Sequence, residues 1–155
     1  METIRVPMEQ LAEVLLLQLR ESGRTELTVT GSSMRPMLHH GTDRVQLSLR
    51  QPKHKDVILY KRDSGRYILH RIVRVKEGVF ICTGDNQWQT EEIRPDQVLA
   101  TMDSWCRGGK LITIDNFFYR VYVWLWVGIL PLRRPVLAVR RLCGKIRRRI
   151  KKKKS

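Results

Sequence analysis

Three short stretches of the chain carry side chains suited to acyl-transfer chemistry. The first is Gly31-Ser32-Ser33-Met34-Arg35-Pro36-Met37-Leu38, directly after the alternating run Leu27–Thr30. A serine at a strand end can hold its hydroxyl exposed while its own backbone N–H faces a substrate carbonyl. Pro36 restricts the backbone of Arg35, and Met34 can bury as an anchor. The second is Tyr67-Ile68-Leu69-His70-Arg71-Ile72-Val73, preceded by Asp56-Val57-Ile58-Leu59-Tyr60, with His70 on the strand face shared by Ile68 and Ile72. The third is Thr83-Gly84-Asp85-Asn86. Taken singly, each has a plainer reading: a serine-rich turn before a proline, a satisfied core histidine, and a turn after a strand.

Order and spacing change that balance. G-S-S-M-R-P, D-V-I-L-Y, L-H-R-I-V and T-G-D-N together resemble the boxes of the type I signal peptidases and their self-cleaving, repressor-like serine peptidase relatives. The resemblance covers roughly residues 27–100, about half of the chain. It implies Ser33 as nucleophile and His70 as general base, similar to the endoplasmic-reticulum-type branch; the common bacterial branch has lysine as its base. It also implies a serine endopeptidase that removes a signal or leader segment from a precursor peptide or protein, without a cofactor. The chemistry agrees with that assignment. A serine hydroxyl needs a base within hydrogen-bond reach, and histidine titrates near ~6.5 unaided, whereas a lysine base must be buried to lower its pKa.

Asp85 is the candidate to orient His70 as a triad acid, with Glu91 and Glu92 as rivals and a purely structural role open to Asp85. The oxyanion hole is expected to include the Ser33 N–H, supported by Ser32, Met34 and Pro36. Many relatives place a hydroxyl two residues before the nucleophile. Here that position is Gly31, so a second donor must come from Ser32, Thr30 or backbone.

The elements that must position these groups follow from periodicity. Met8, Leu11, Ala12, Leu15 and Leu19 recur at helical steps, and Gly23 is a plausible stop. Seven short strands follow: Glu26–Thr30, Arg44–Leu49, Asp56–Lys61, Arg66–Lys76, Val79–Cys82, Val98–Asp103 and Lys110–Ile114. The expected fold is mainly β, a signal-peptidase-like, antiparallel and partly barrel-like domain over residues 25–115. An N-terminal amphipathic helix occupies residues 1–24 and a membrane-interacting helical segment residues 116–155.

That last segment holds most of the charge surplus. The 155 residues carry a net charge of +15, yet twelve of the 30 Lys and Arg lie between Arg133 and Ser155 with no acid among them. The preceding 132 residues keep 18 basic against 15 acidic groups, a nearly balanced domain. Just before the cationic run, Phe117–Leu132 holds Arg120 as its single charge and is sixteen residues long, short of the ~20 that span a bilayer. Tyr119, Tyr122, Trp124 and Trp126 suit headgroup depth, and the Lys/Arg block suits anionic lipid. The plainer alternative is a last core helix followed by a solvated charge run.

These readings place the catalytic domain at a membrane surface, on the cytoplasmic face, since the N-terminal residues read as neither signal peptide nor span. An accessory protein is a possible further partner. Nucleic acid is not expected, because aromatic and basic residues are segregated rather than interleaved. Cys82, Cys106 and Cys143 show no paired spacing, and no histidine pattern suggests a metal. Two other functions compete with the peptidase: a non-catalytic membrane-binding adaptor on the same scaffold, which Gly31 favours, and a self-cleaving repressor-like regulator. The latter lacks a helix-turn-helix and an Ala-Gly or Cys-Gly site before Ser33.

Overall fold

The computed structural model describes residues 8–133, 135, 137–139 and 143, with side chains from residue 13 onward. Most of the basic segment assigned to lipid binding therefore lies outside the described residues. Helix α1 spans Met8–Ser22, and Leu15 and Leu19, one turn apart, bury against Leu27 and its neighbours. Gly23 ends it at φ +71°, its N–H donating to the Leu19 carbonyl at 3.0 Å, a left-handed cap in which a Cβ is unfavourable.

Eight strands follow: β1 (Arg24–Thr28), β2 (Arg44–Ser48), β3 (Val57–Lys61), β4 (Tyr67–Lys76), β5 (Val79–Thr83), β6 (Glu91–Ile93), β7 (Val98–Arg107) and β8 (Lys110–Thr113). All pair antiparallel, in the order β1-β2-β7-β3-β4-β5-β6, with β8 also on β7. β7 is long enough to serve two neighbours along one edge, β3 through residues 98–101 and β8 through residues 104–107. Helix α2 (Phe117–Gly128) and a short 3₁₀ turn (Leu130–Leu132) close the described fold.

The mainly β, antiparallel expectation holds, but the partly closed barrel does not form. β1 and β6 remain unpaired with each other at opposite ends of the sheet. The apolar run Val57–Tyr60 is buried on both faces of this open sheet. Val57 and Leu59 join a large core with Met34, Leu38, Val45 and Trp105, whereas Ile58 and Tyr60 join a second with Ile72, Cys82 and Ile93. Apolar groups are thus consumed on two sides of the sheet rather than around one lumen. Helix α2 contributes Tyr119 and Val123 to the larger core, so the segment assigned to membrane contact is also a core element. No helix among the described residues is long and apolar enough to cross a membrane.

Candidate active site

Ser33 lies in the turn-rich loop between β1 and β2, which is pinned at both ends. The Val29 N–H donates to the Asp43 carbonyl at 2.9 Å, and the Gly41 N–H to the Val29 carbonyl at 2.8 Å. Buried Asp43 accepts from Arg107 on both oxygens, at 3.1 and 2.6 Å at closest, and from the His39 N–H at 2.9 Å. Burial works to raise the Asp43 carboxyl, but the Arg107 and His39 hydrogen bonds outweigh it and hold the group below its ordinary range. Arg107 also donates to the Met37 carbonyl, tying the loop's far side to β7. Met34 and Leu38 are buried beneath, as the anchor role of Met34 requires.

Ser33 itself is half-buried, Ser32 exposed and Pro36 half-buried behind a cis Arg35–Pro36 peptide. Neither the hydroxyl nor the N–H of Ser33 has a protein hydrogen-bond partner among the described residues. Its carbonyl does, accepting from the Asn86 N–H at 2.7 Å, while Asn86 Nδ2 donates to the Ser32 carbonyl at 3.2 Å. The contact is close enough to demand glycine at position 84. A Cβ there would lie 2.6 Å from the Ser33 carbonyl oxygen and 3.0 Å from Ser33 Cβ. The serine loop and the Thr83–Asn86 turn are therefore one packed unit. Ser33 also borders a cavity of about 100 Å³ with Val29, Leu59, Tyr67, Ile68 and Leu69.

His70 sits on β4, opposite Ile58 of β3, and is 4% exposed. Its Nδ1 lies 3.1 Å from Glu91 Oε1 and 3.1 Å from the Tyr60 hydroxyl, which itself donates to Glu91 Oε1. Arg62 closes the group with a fork onto Glu91, at 2.7 and 2.9 Å. Burial works to raise the Glu91 carboxyl, but Arg62 and Tyr60 win and hold it below its ordinary range. A carboxylate at Nδ1 assigns the ring proton to Nδ1 and leaves the Nε2 lone pair available. Burial depresses His70 below 6.5, outweighing the upward pull of Glu91, so the ring is neutral at neutral pH.

Asp85 does not take the place assigned to it beside His70. It is fully buried and pairs with Arg71, at 2.9 and 2.7 Å, on the opposite face of β4. Strand alternation is the cause: consecutive residues point to opposite faces, so His70 meets Tyr60 and Glu91 while Arg71 meets Asp85 and Met37. Glu91, not Asp85, is the carboxylate on the imidazole, and Glu92 is exposed on the outer face of β6. The sequence reading omitted β6, whose three residues include two acids and only one buried apolar side chain. A charged pair before Ile93 carries no strand signal, although the Glu91-x-Ile93 alternation is there. Tyr60 and Arg62 were likewise missed, because their role depends on the β3–β4–β5–β6 order.

No hydrogen bond joins Ser33 Oγ to His70 among the described residues. Ser33 and His70 are carried on neighbouring units, with Ile68 and Leu69, the residues just before His70, lining the Ser33 cavity. Cys82, packed against Tyr60 in the same core, is pushed up to about 12 by burial first and then by the Glu91 charge, which disfavours the thiolate. Among the described residues no cluster of His, Cys, Asp or Glu is arranged to hold a metal ion.

Helix α2 reaches the site from behind. Tyr122 Oη donates to Asp85 Oδ2 at 3.0 Å, Trp126 Nε1 to the Asp85 carbonyl at 2.9 Å, and Arg71 to Tyr119 Oη at 3.1 Å. Buried Arg133 donates to the Trp126 carbonyl at 2.9 Å and to the Gly84 carbonyl at 3.4 Å. What fold and site define is a mainly β protein with an open antiparallel sheet, a loop-borne serine and a carboxylate-held histidine. No family model, curated protein or solved structure matches the chain.

Proposed function

We propose that the protein is a serine endopeptidase of the signal peptidase type, cleaving a signal or leader segment from a precursor peptide or protein at a membrane surface. The observation that carries this reading is His70, fixed at Nδ1 by the Glu91–Arg62 pair, on the strand that lines the cavity of Ser33, whose hydroxyl has no protein partner among the described residues. In this reading Nε2 takes the Ser33 proton as Oγ attacks the scissile carbonyl, and Glu91 stabilises the imidazolium that forms. The same proton passes to the leaving amine as the peptide C–N bond breaks and the acyl-enzyme forms. Water, deprotonated by His70, then releases the acyl group. The Ser33 N–H supplies oxyanion stabilisation. Closure of the Ser33–His70 hydrogen bond belongs to the substrate complex, since catalytic hydrogen bonds tighten there.

A second reading, a non-catalytic membrane-binding adaptor, is favoured by Gly31 in the second-donor position and by the missing Ser33–His70 hydrogen bond. Covalent labelling by an acylating serine-peptidase inhibitor separates the two. The peptidase reading expects labelling of the full chain that Ser33→Ala abolishes and His70→Ala strongly slows; labelling that persists in Ser33→Ala, or is absent from the parent, refutes it.

A further inference from the structure

The two faces of α2 are chemically different. At 100° per residue, Trp124, Phe117, Val121, Leu125 and Phe118 fall within an arc of roughly 120°, and Tyr122, Trp126, Tyr119 and Val123 within the opposing one. The inner arc is the set that grips Asp85 and the core. The outer arc is bare: Phe117 is 71% exposed, Phe118 79% and Trp124 66%, with Leu132 beyond the helix also exposed. Contiguous apolar surface of this kind on a soluble face marks a contact site.

Its occupant is indicated by charge. No acidic residue follows Asp115, while Arg120 and the eleven Lys and Arg beyond buried Arg133 all do. An aromatic face followed in the sequence by a cationic segment without acids complements anionic headgroups over acyl chains. Twelve helical residues extend about 18 Å, too short to span a hydrocarbon core of about 30 Å. We propose that α2 docks flat on an anionic lipid surface by its Phe117–Phe118–Val121–Trp124–Leu125 face alone, the Tyr122 and Trp126 face remaining packed on Asp85. The orientation has a consequence for the site. Asp85 belongs to the turn packed on Ser33, so docking holds the serine loop at a set height over the lipid. The docking is independent of the peptidase reading; only this consequence rests on it.

The test uses the full chain with vesicles of phosphatidylglycerol and phosphatidylcholine, some carrying brominated acyl chains. Expected are binding that weakens with added salt, and bromine quenching of tryptophan fluorescence that Trp124→Phe removes and Trp126→Phe retains. Phe118→Glu with Trp124→Glu should lower vesicle affinity at least about tenfold with an unchanged circular dichroism spectrum. The proposal is overturned if that double variant binds as the parent does, if quenching follows Trp126 instead, or if the substitutions convert an oligomer to a monomer while vesicle binding persists. Running the same assay on Ser33→Ala separates the two readings: binding by an inactive chain leaves docking intact whatever the fate of the peptidase.

Discussion

At the residue scale, the chemistry turns on which carboxylate faces His70. Glu91 reaches Nδ1 and is itself held by Arg62, so in the peptidase reading Glu91→Gln removes the group proposed to stabilise the imidazolium while leaving the strand intact. Peptide cleavage is expected to fall about 10²–10⁴-fold, measured as kcat/KM on a leader-peptide substrate. In the peptidase reading activity requires neutral His70, so the rate should rise with pH and level off, its midpoint below 6.5 because burial depresses the ring. In Glu91→Gln the upward pull is lost and the residual activity should have its midpoint at still lower pH. A midpoint that moves up instead would show that Glu91 does not face the ring in solution. Ser33→Ala should cost almost no stability, within about 0.5 kcal/mol, because the hydroxyl has no protein partner. A thermal melt alongside the activity assay checks both halves of that expectation.

At the element scale, the Thr83–Asn86 turn links the serine loop to helix α2. Gly84→Ala forces a Cβ against the Ser33 carbonyl, a backbone atom that cannot swing aside. Overpacking of this kind costs about 1–3 kcal/mol, and here it also displaces Ser33, so in the peptidase reading activity should fall further than stability. Asp85→Ala acts differently. It leaves Arg71, wholly buried, without its counter-charge, and breaking such a pair costs about 3–5 kcal/mol. Denaturant unfolding should show that loss, and a change under about 1 kcal/mol would mean that water reaches Arg71. The contrast with Glu91→Gln matters, because one carboxylate is predicted to serve stability and the other turnover. Only β6, the three-residue strand overlooked in the sequence, gives Glu91 its position.

For the whole molecule, the titrating groups act in one direction. His70 has a folded pKa below its ordinary value, so the unfolded chain takes up its proton first, and stability declines as pH falls from about 6.5. Glu91 and Asp43 are also depressed in the fold; their contributions are full above the ordinary carboxylate values and lost as pH falls through the lowered ones. Thermal midpoints should therefore fall in two stages between pH 7 and 3, and a flat profile from pH 7 to 5 would contradict the buried, neutral state of His70. Much of this protein was legible before folding was considered. Helical steps located α1, alternation located seven of the eight strands, and the boxes singled out Ser33, His70 and the Gly84-Asp85 turn as candidates. Those signals are local, set by periods of 3.6 and 2 and by glycine and proline. Strand order, by contrast, is a property of contacts distant in sequence, and it alone decided that Glu91 meets His70 while Asp85 meets Arg71. It also left the barrel open, with β1 and β6 at opposite ends of the sheet, and it put the apolar run Val57–Tyr60 between two cores, because such a run reports burial but not on how many faces. The composition of Phe117–Leu132 announced an apolar helix; only packing could divide it, since an inner face bound to Asp85 and a bare outer face draw on the same aromatic residues.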